Sequence, residues 1–185
     1  IYKCNGLEYI MANTGERHGT TTSGFTANPA NAIDGNDGTD ASIIHFTDAA
    51  LNVIISSYGG DDIPTGATIN GVEIRIRASF ASIFPATKLI DVELSKNGAS
   101  GTFNSPSSGA TSTVLSSTVT DYTFGGSSET WQHSWNDFTD ISELAIKFTS
   151  DQVGALDTVA VTGIFAAAIT VHYEVVDLII PRLKI

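Results

Sequence analysis

One cysteine, one methionine and nine basic residues in a chain of 185 define what this sequence has little of. Cys4 has no partner for an internal disulfide, so the fold must rest on its core, and assembly in a reducing compartment is expected. Nine Lys and Arg against twenty Asp and Glu, a formal net charge of −11, leave no clustered cations for phosphate. That excludes nucleic acid from the expected partners. No apolar run approaches the roughly 20 residues that span a bilayer, and the longest, Ile164 to Val171, has the length of a strand. No membrane partner is expected. The first ten residues, IYKCNGLEYI, carry a single Lys and no sustained apolar core, unlike a secretory leader. Catalytic signatures are missing too: there is no G-x-S-x-G elbow, no phosphate-binding glycine loop and no H-E-x-x-H. Acid pairs such as Asp61/Asp62 and Asp137/Asp140 have the residue type a glycosidase uses, but they read as solvated loop acids, and no enzymatic activity is expected.

What is present is alternation. Hydrophobic residues make up 42% of the chain and charged residues 16%, enough apolar surface for one substantial core. Val72, Ile74, Ile76, Ala78 and Phe80 alternate with Glu73, Arg75, Arg77 and Ser79, which gives a strand with one buried and one wet face. Ile90, Val92 and Leu94 repeat the pattern, as do Leu144, Ile146 and Phe148, and Ile169, Val171, Tyr173 and Val175. Further strands are expected over 41–46, 51–57, 113–118 and 121–124, with another over 131–135, and 136–142 reads as an acidic turn or one short helical turn. Strands at this spacing with no helix between them indicate a single antiparallel β-sandwich, jelly-roll-like in layout. If the strands carrying Arg75/Arg77 and Asp91/Glu93 are neighbours, those charges pair across them. Residues 1–24, polar and aperiodic after Ile10, read as an arm or linker, 25–175 as the sandwich, and 176–185, interrupted by Pro181, as a second arm.

Two phrases carry a resemblance. The first is IPTGATINGVEIRIRASF, from Ile63 to Phe80, in which Pro64, Gly66 and Gly71 punctuate the approach to the long strand. The second runs from Tyr122 to Phe148, where YTFGGSSETW precedes an acidic turn and another alternating strand. Together they resemble a β-sandwich module of bacteriophage virion proteins and related bacterial surface proteins. The resemblance implies a non-enzymatic structural protein on the outside of a virion, assembled in the host cytoplasm. A capsid decoration or cement protein is the first expectation, and a tail, neck or fibre component the variant. The partners so implied are the major capsid protein or tail proteins and further copies of the chain.

The alternative is a carbohydrate-binding module that adheres to host glycan, and its motivation is local. Trp131, His133 and Trp135 alternate in WQHSW, so an extended backbone there would put all three on one face as a sugar-stacking platform. Against this, Trp131 belongs to the second phrase and is expected in the core, which leaves Trp135 as the freer ring. Asp34, Asn36, Asp37 and Asp40 lie in a Gly-rich acidic loop, DGNDGTD, with oxygen ligands dense enough for calcium. The loop is similar to the DG-x-x-x-T calcium loop of discoidin-like modules, but Asn, Asp and Gly are also the residues of an ordinary tight turn, which is the reading preferred, with no cofactor required. His18, His45, His133 and His172 show no metal-site spacing and read as surface or rim residues. Apolar ends, Tyr2 and Tyr9 on one side and Leu178, Ile179, Ile180 and Leu183 on the other, read as surfaces for a neighbouring subunit.

Overall fold

The computed structural model describes residues 2–4, 7–34, 38–45, 50–59, 63–82, 87–107, 112–136, 138, 140–153 and 160–178. These residues form two antiparallel β-sheets packed face to face and no α-helix; 3-10 turns occur at Pro29–Ala32 and Ile141–Glu143. The first sheet is built on β7 (Thr68–Ser82) and β12 (Ala160–Leu178), paired along most of their lengths, with β10 (Thr120–Gly125) on the far side of β7. The other edge of β12 takes β5 (Ala41–His45), β3 (Arg17–His18) and β2 (Leu7–Asn13) in succession, and β1 (Tyr2–Cys4) closes a hairpin on β2. The second sheet runs β4 (Thr21–Ser23), β6 (Leu51–Ser56), β11 (Ala145–Val153), β8 (Thr87–Ser95) and β9 (Ser112–Val114).

The period-2 pattern sets the core. Val72, Ile74 and Ile76 on β7, Ile169 and Val171 on β12, Val92 and Leu94 on β8, and Ile146 and Phe148 on β11 all lie at 0% exposure. Each contributes about 1.5–3 kcal/mol relative to a solvated side chain. Leu144 and Tyr173 are buried with them, as the sequence predicts. Phe165 is the extra residue at a register shift between Ile164 and Ala166. It moves the alternation of β12 by one, so that Ile164 and Ala167 both face the core. A buried hydroxyl pair, Ser150 on β11 and Thr162 on β12 at 3.1 Å, links the two sheets through the core.

Three expectations are corrected. Residues 1–24 are not a free arm or linker: β2 lies along the second half of β12, and β4 edges the other sheet on β6. Very short edge strands show almost no alternation, which is why GERHGTTTSG reads as a linker. The segment expected as the C-terminal arm begins inside β12, where Val176 pairs with Tyr9 and Leu178 with Leu7; residues 179–185 lie outside the described residues. Finally, β7 and β8 belong to different sheets, so Arg75 and Arg77 do not meet Asp91 and Glu93. Arg75 instead bridges Glu16, at 2.5 Å, and Asp121, at 2.9 Å, while Arg77 takes the other Asp121 oxygen at 2.9 Å.

Candidate functional site

The two phrases noted in the sequence meet in space. Pro64 and Gly66 make the turn into β7, with the Ala67 amide donating to the Pro64 carbonyl at 3.0 Å and Gly66 at φ 82°. At Gly71 the strand passes so close to the loop after β10 that a Cβ would lie 2.4 Å from the Gly126 carbonyl oxygen. Val72 then becomes the hub. Its amide donates to the Glu129 carbonyl at 2.9 Å, and its carbonyl accepts the Gly126 amide at 3.1 Å and the Trp131 indole Nε1–H at 2.8 Å. Glu129 is only 5% exposed, and its Oε1 accepts from the Trp131 amide at 2.7 Å, the Ser107 amide at 2.9 Å and the Ser107 hydroxyl at 2.6 Å. A buried carboxylate needs such donors, and here they tie the 105–107 loop to the Trp131 turn.

Trp131 and Gln132 adopt left-handed φ values of 54° and 56°. WQHSW is therefore a turn, not the extended segment expected. Trp131, at 0% exposure, belongs to the core. His133, Trp135 and Phe138 form an aromatic cluster, and Trp135 and Phe138, each 7% exposed, belong to the same core as Trp131. Trp135 meets His133 edge to face at 5.6 Å and Phe138 at 5.0 Å, and its Nε1–H donates to the Thr130 carbonyl at 2.9 Å. His133 is no loose surface residue. Nε2 lies 2.8 Å from the Leu94 carbonyl, to which it must donate, so Nδ1 is the acceptor for the Asn104 amide nitrogen at 3.3 Å. Lys96 Nζ donates to the Ser134 carbonyl.

Between this cluster and the turn into β7 runs a groove of about 780 Å³, within the range of small-ligand sites. Thr65, Thr68 and Ile69 line one wall; Thr130, Ser134 and Asn136 join the three aromatic residues on the other. Trp135 is 7% exposed and so offers a strip of ring rather than an open platform. No described lining residue is Asp, Glu, Lys or Arg, and the polar groups offered include hydroxyls, an amide and the His133 imidazole.

The remaining candidates lie elsewhere. Asp34 Oδ2 accepts from the Thr39 hydroxyl at 3.2 Å and Asp40 Oδ2 from the Ser42 hydroxyl at 3.0 Å, both as turn-closing contacts; Asn36 and Asp37 lie outside the described residues. Among the described residues no three His, Cys, Asp or Glu side chains converge as a metal site. Tyr2, Tyr9 and Leu178 are placed by backbone register in the β1–β2–β12 flank, and Ile179, Ile180 and Leu183 lie outside the described residues. Both outer sheet faces are ionic. One carries the Glu16–Arg75–Asp121–Arg77 chain; the other carries Lys147 paired to Glu93, and Asp91, whose carboxyl is pushed up by burial and then by Asp151 and Glu93. No sequence signal marks Thr65, Thr68, Thr130 or Asn136 as groove residues; the Gly and Pro turns beside them are the visible trace.

No protein-family model matches the chain, and no curated protein matches it in sequence. Among solved structures it is similar to a truncated AlyQ with CBM32 and alginate lyase domains, at 17% identity and TM-score 0.43, over 88% of this chain and 34% of that one. The chain thus spans about a third of that protein's length. It is also similar to the CBM22-1 xylan-binding domain of Xyn10C from Paenibacillus barcinonensis, at 9% identity and TM-score 0.39, over 88% of this chain and 85% of that one. A family 11 carbohydrate-binding module from Clostridium thermocellum, in complex with a β-1,3-1,4-mixed-linked tetrasaccharide, is similar at 9% identity and TM-score 0.38, over 91% and 89% of the two chains.

Proposed function

We propose that this chain is a non-catalytic carbohydrate-binding module that takes a short oligosaccharide in the groove at the end of the sandwich. The observation that supports this reading is the pairing, in one groove of ligand size, of an aromatic wall with hydroxyl and amide groups. A pyranose ring has apolar C–H faces and a polar rim, so it needs both kinds of partner at once. Trp135 supplies the apolar contact, and Thr130, Ser134 and Asn136 the hydrogen bonds. The outer sheet faces carry ion pairs. A glycan array followed by titration calorimetry tests the reading. Saturable binding should weaken at least tenfold in Trp135→Ala and in Asn136→Ala, each loss of one good contact being about 1–3 kcal/mol. Asn136 is exposed, so its variant keeps the melting temperature and separates lost binding from lost fold. No binding across a broad panel would sink the proposal.

A second reading, a structural protein on the outside of a bacteriophage virion, is favoured by the two resembling phrases and by a separate observation. Met11 and Val176 are 59% and 43% exposed on one face of the paired ends of β2 and β12, where Val176 lies opposite Tyr9. An exposed apolar pair of this kind fits burial against a capsid, tail or like subunit. Sedimentation of the purified chain, with and without Met11→Lys and Val176→Lys, tests the contact. A monomer that both substitutions leave unchanged, and that fails to bind particles, counts against it.

A further inference from the structure

We infer that the groove selects uncharged glycans and rejects uronic-acid and sulfated sugars; the inference rests on the carbohydrate reading above. Its basis is where the chain spends its cations. Arg75 and Arg77 are held on the outer face of the first sheet by Glu16 and Asp121, and Lys147 is held on the outer face of the second by Glu93. Lys96 is not among the residues that line the groove; its ammonium donates to the Ser134 carbonyl, a neutral acceptor. No described residue that lines the groove is Asp, Glu, Lys or Arg. A carboxylate or sulfate brought in would lose water without gaining a charge-assisted donor, and unpaired charge is the costliest group to desolvate. The field of the whole chain adds to this, because its net charge of −11 opposes the approach of any anion.

Neutral rims face no such penalty. Threonine and serine hydroxyls and the Asn136 amide both donate and accept, which suits sugar hydroxyls that do the same. The selectivity then lies in the missing partner, not in a clash: the groove has room for a carboxylate, but no described residue that lines it is a Lys or Arg to neutralise one.

Titration calorimetry of the full chain with tetrasaccharides of glucose, galactose and mannose, against uronic-acid tetrasaccharides of the same three sugars, tests this. The best neutral ligand should bind at least about tenfold more tightly than its uronate counterpart, the worth of one charge-assisted bond left unmade. The gap should narrow at high salt, where long-range repulsion is screened. Asn136→Lys, at the exposed lip, should weaken neutral binding as Asn136→Ala does and narrow the gap to the uronate by about tenfold at low salt. A uronate that binds as tightly as its neutral counterpart, and is lost in Trp135→Ala, overturns the inference and leaves the carbohydrate reading standing. A gap that Asn136→Lys leaves unchanged overturns it too. Silence from all six ligands and from the broad array overturns both.

Discussion

The indole N–H of Trp131 donates to the carbonyl of Val72 across 2.8 Å of buried space, joining residues 59 positions apart. This bond makes one unit of two separate sequence phrases. Val72 opens the alternating run of β7, and Trp131 ends the glycine-serine turn after β10. Between them, Gly71 presses on the backbone of Gly126 to Ser128, and Glu129 hydrogen-bonds to both Val72 and Trp131. The groove wall stands on this junction.

Trp131→Phe removes one donor and keeps most of the packing. The Val72 carbonyl retains the Gly126 amide, so the expected loss is about 1–3 kcal/mol in urea unfolding. A loss under a few tenths of a kcal/mol would show that water replaces the indole.

Gly71→Ala and Gly66→Ala separate two roles of glycine. At Gly71 the new methyl would lie 2.4 Å from a backbone oxygen that cannot swing away, so severe destabilisation is expected. At Gly66 nothing stands within 4 Å and only the left-handed φ is at stake, for a cost of about 1 kcal/mol. Paired melting curves check the order.

Ile74→Ala and Ile146→Ala each leave a cavity between the sheets, and each should lower stability by about 2–5 kcal/mol. Both side chains are at 0% exposure on facing sheets. Near-native stability in either variant would contradict the strand assignment.

Asp91 sets a pH dependence with a defined sign. Its carboxyl is raised above the ordinary 3.8 by burial, then by Asp151 and Glu93. The folded chain therefore holds this proton more tightly than the unfolded chain. The stability linked to it is full below the unfolded value and lost as pH rises through the raised one. Asp91→Asn should raise the melting temperature at pH 7 and leave it nearly unchanged below about pH 3.5. A melting temperature lowered at pH 7 would reverse the assignment.

For the acidic loop, chelator should leave the melting temperature of the wild-type chain unchanged, because Asp34 and Asp40 already accept from Thr39 and Ser42. A marked drop that Asp34→Ala abolishes would establish a structural calcium.

The faces of the strands were legible in the sequence because burial on one side imposes period 2, and β7, β8, β11 and β12 all show it. Neighbour relations were not. Alternation tells which way Arg75 points and nothing about which strand lies beside it, so its partners Glu16 and Asp121 were missed. The Trp131 turn was hidden for another reason: a bulky residue at φ 54° is a rare conformation, held by Glu129 two residues before it and by Val72, 59 positions away. Glu129 itself reads as one more acid in a turn until its three donors are in place. The groove inherits that illegibility, since its hydroxyl and amide residues converge only once the two phrases have met.

β12 carries a consequence for synthesis. It is the shared partner of β2, β3, β5 and β7, and all four precede it in the chain. While the ribosome is still translating toward residue 160, β7 has one edge unmatched and β2 has no strand to join beyond its own hairpin. The first sheet can therefore close only after translation of β12. Until then a long apolar strand waits with an open edge, at elongation rates of roughly 5–20 residues per second. Such an edge is a template for pairing with other nascent copies. The charges on its outer face, Glu73, Arg75 and Arg77, then act as gatekeepers during the wait, before they act as ion pairs in the finished sheet.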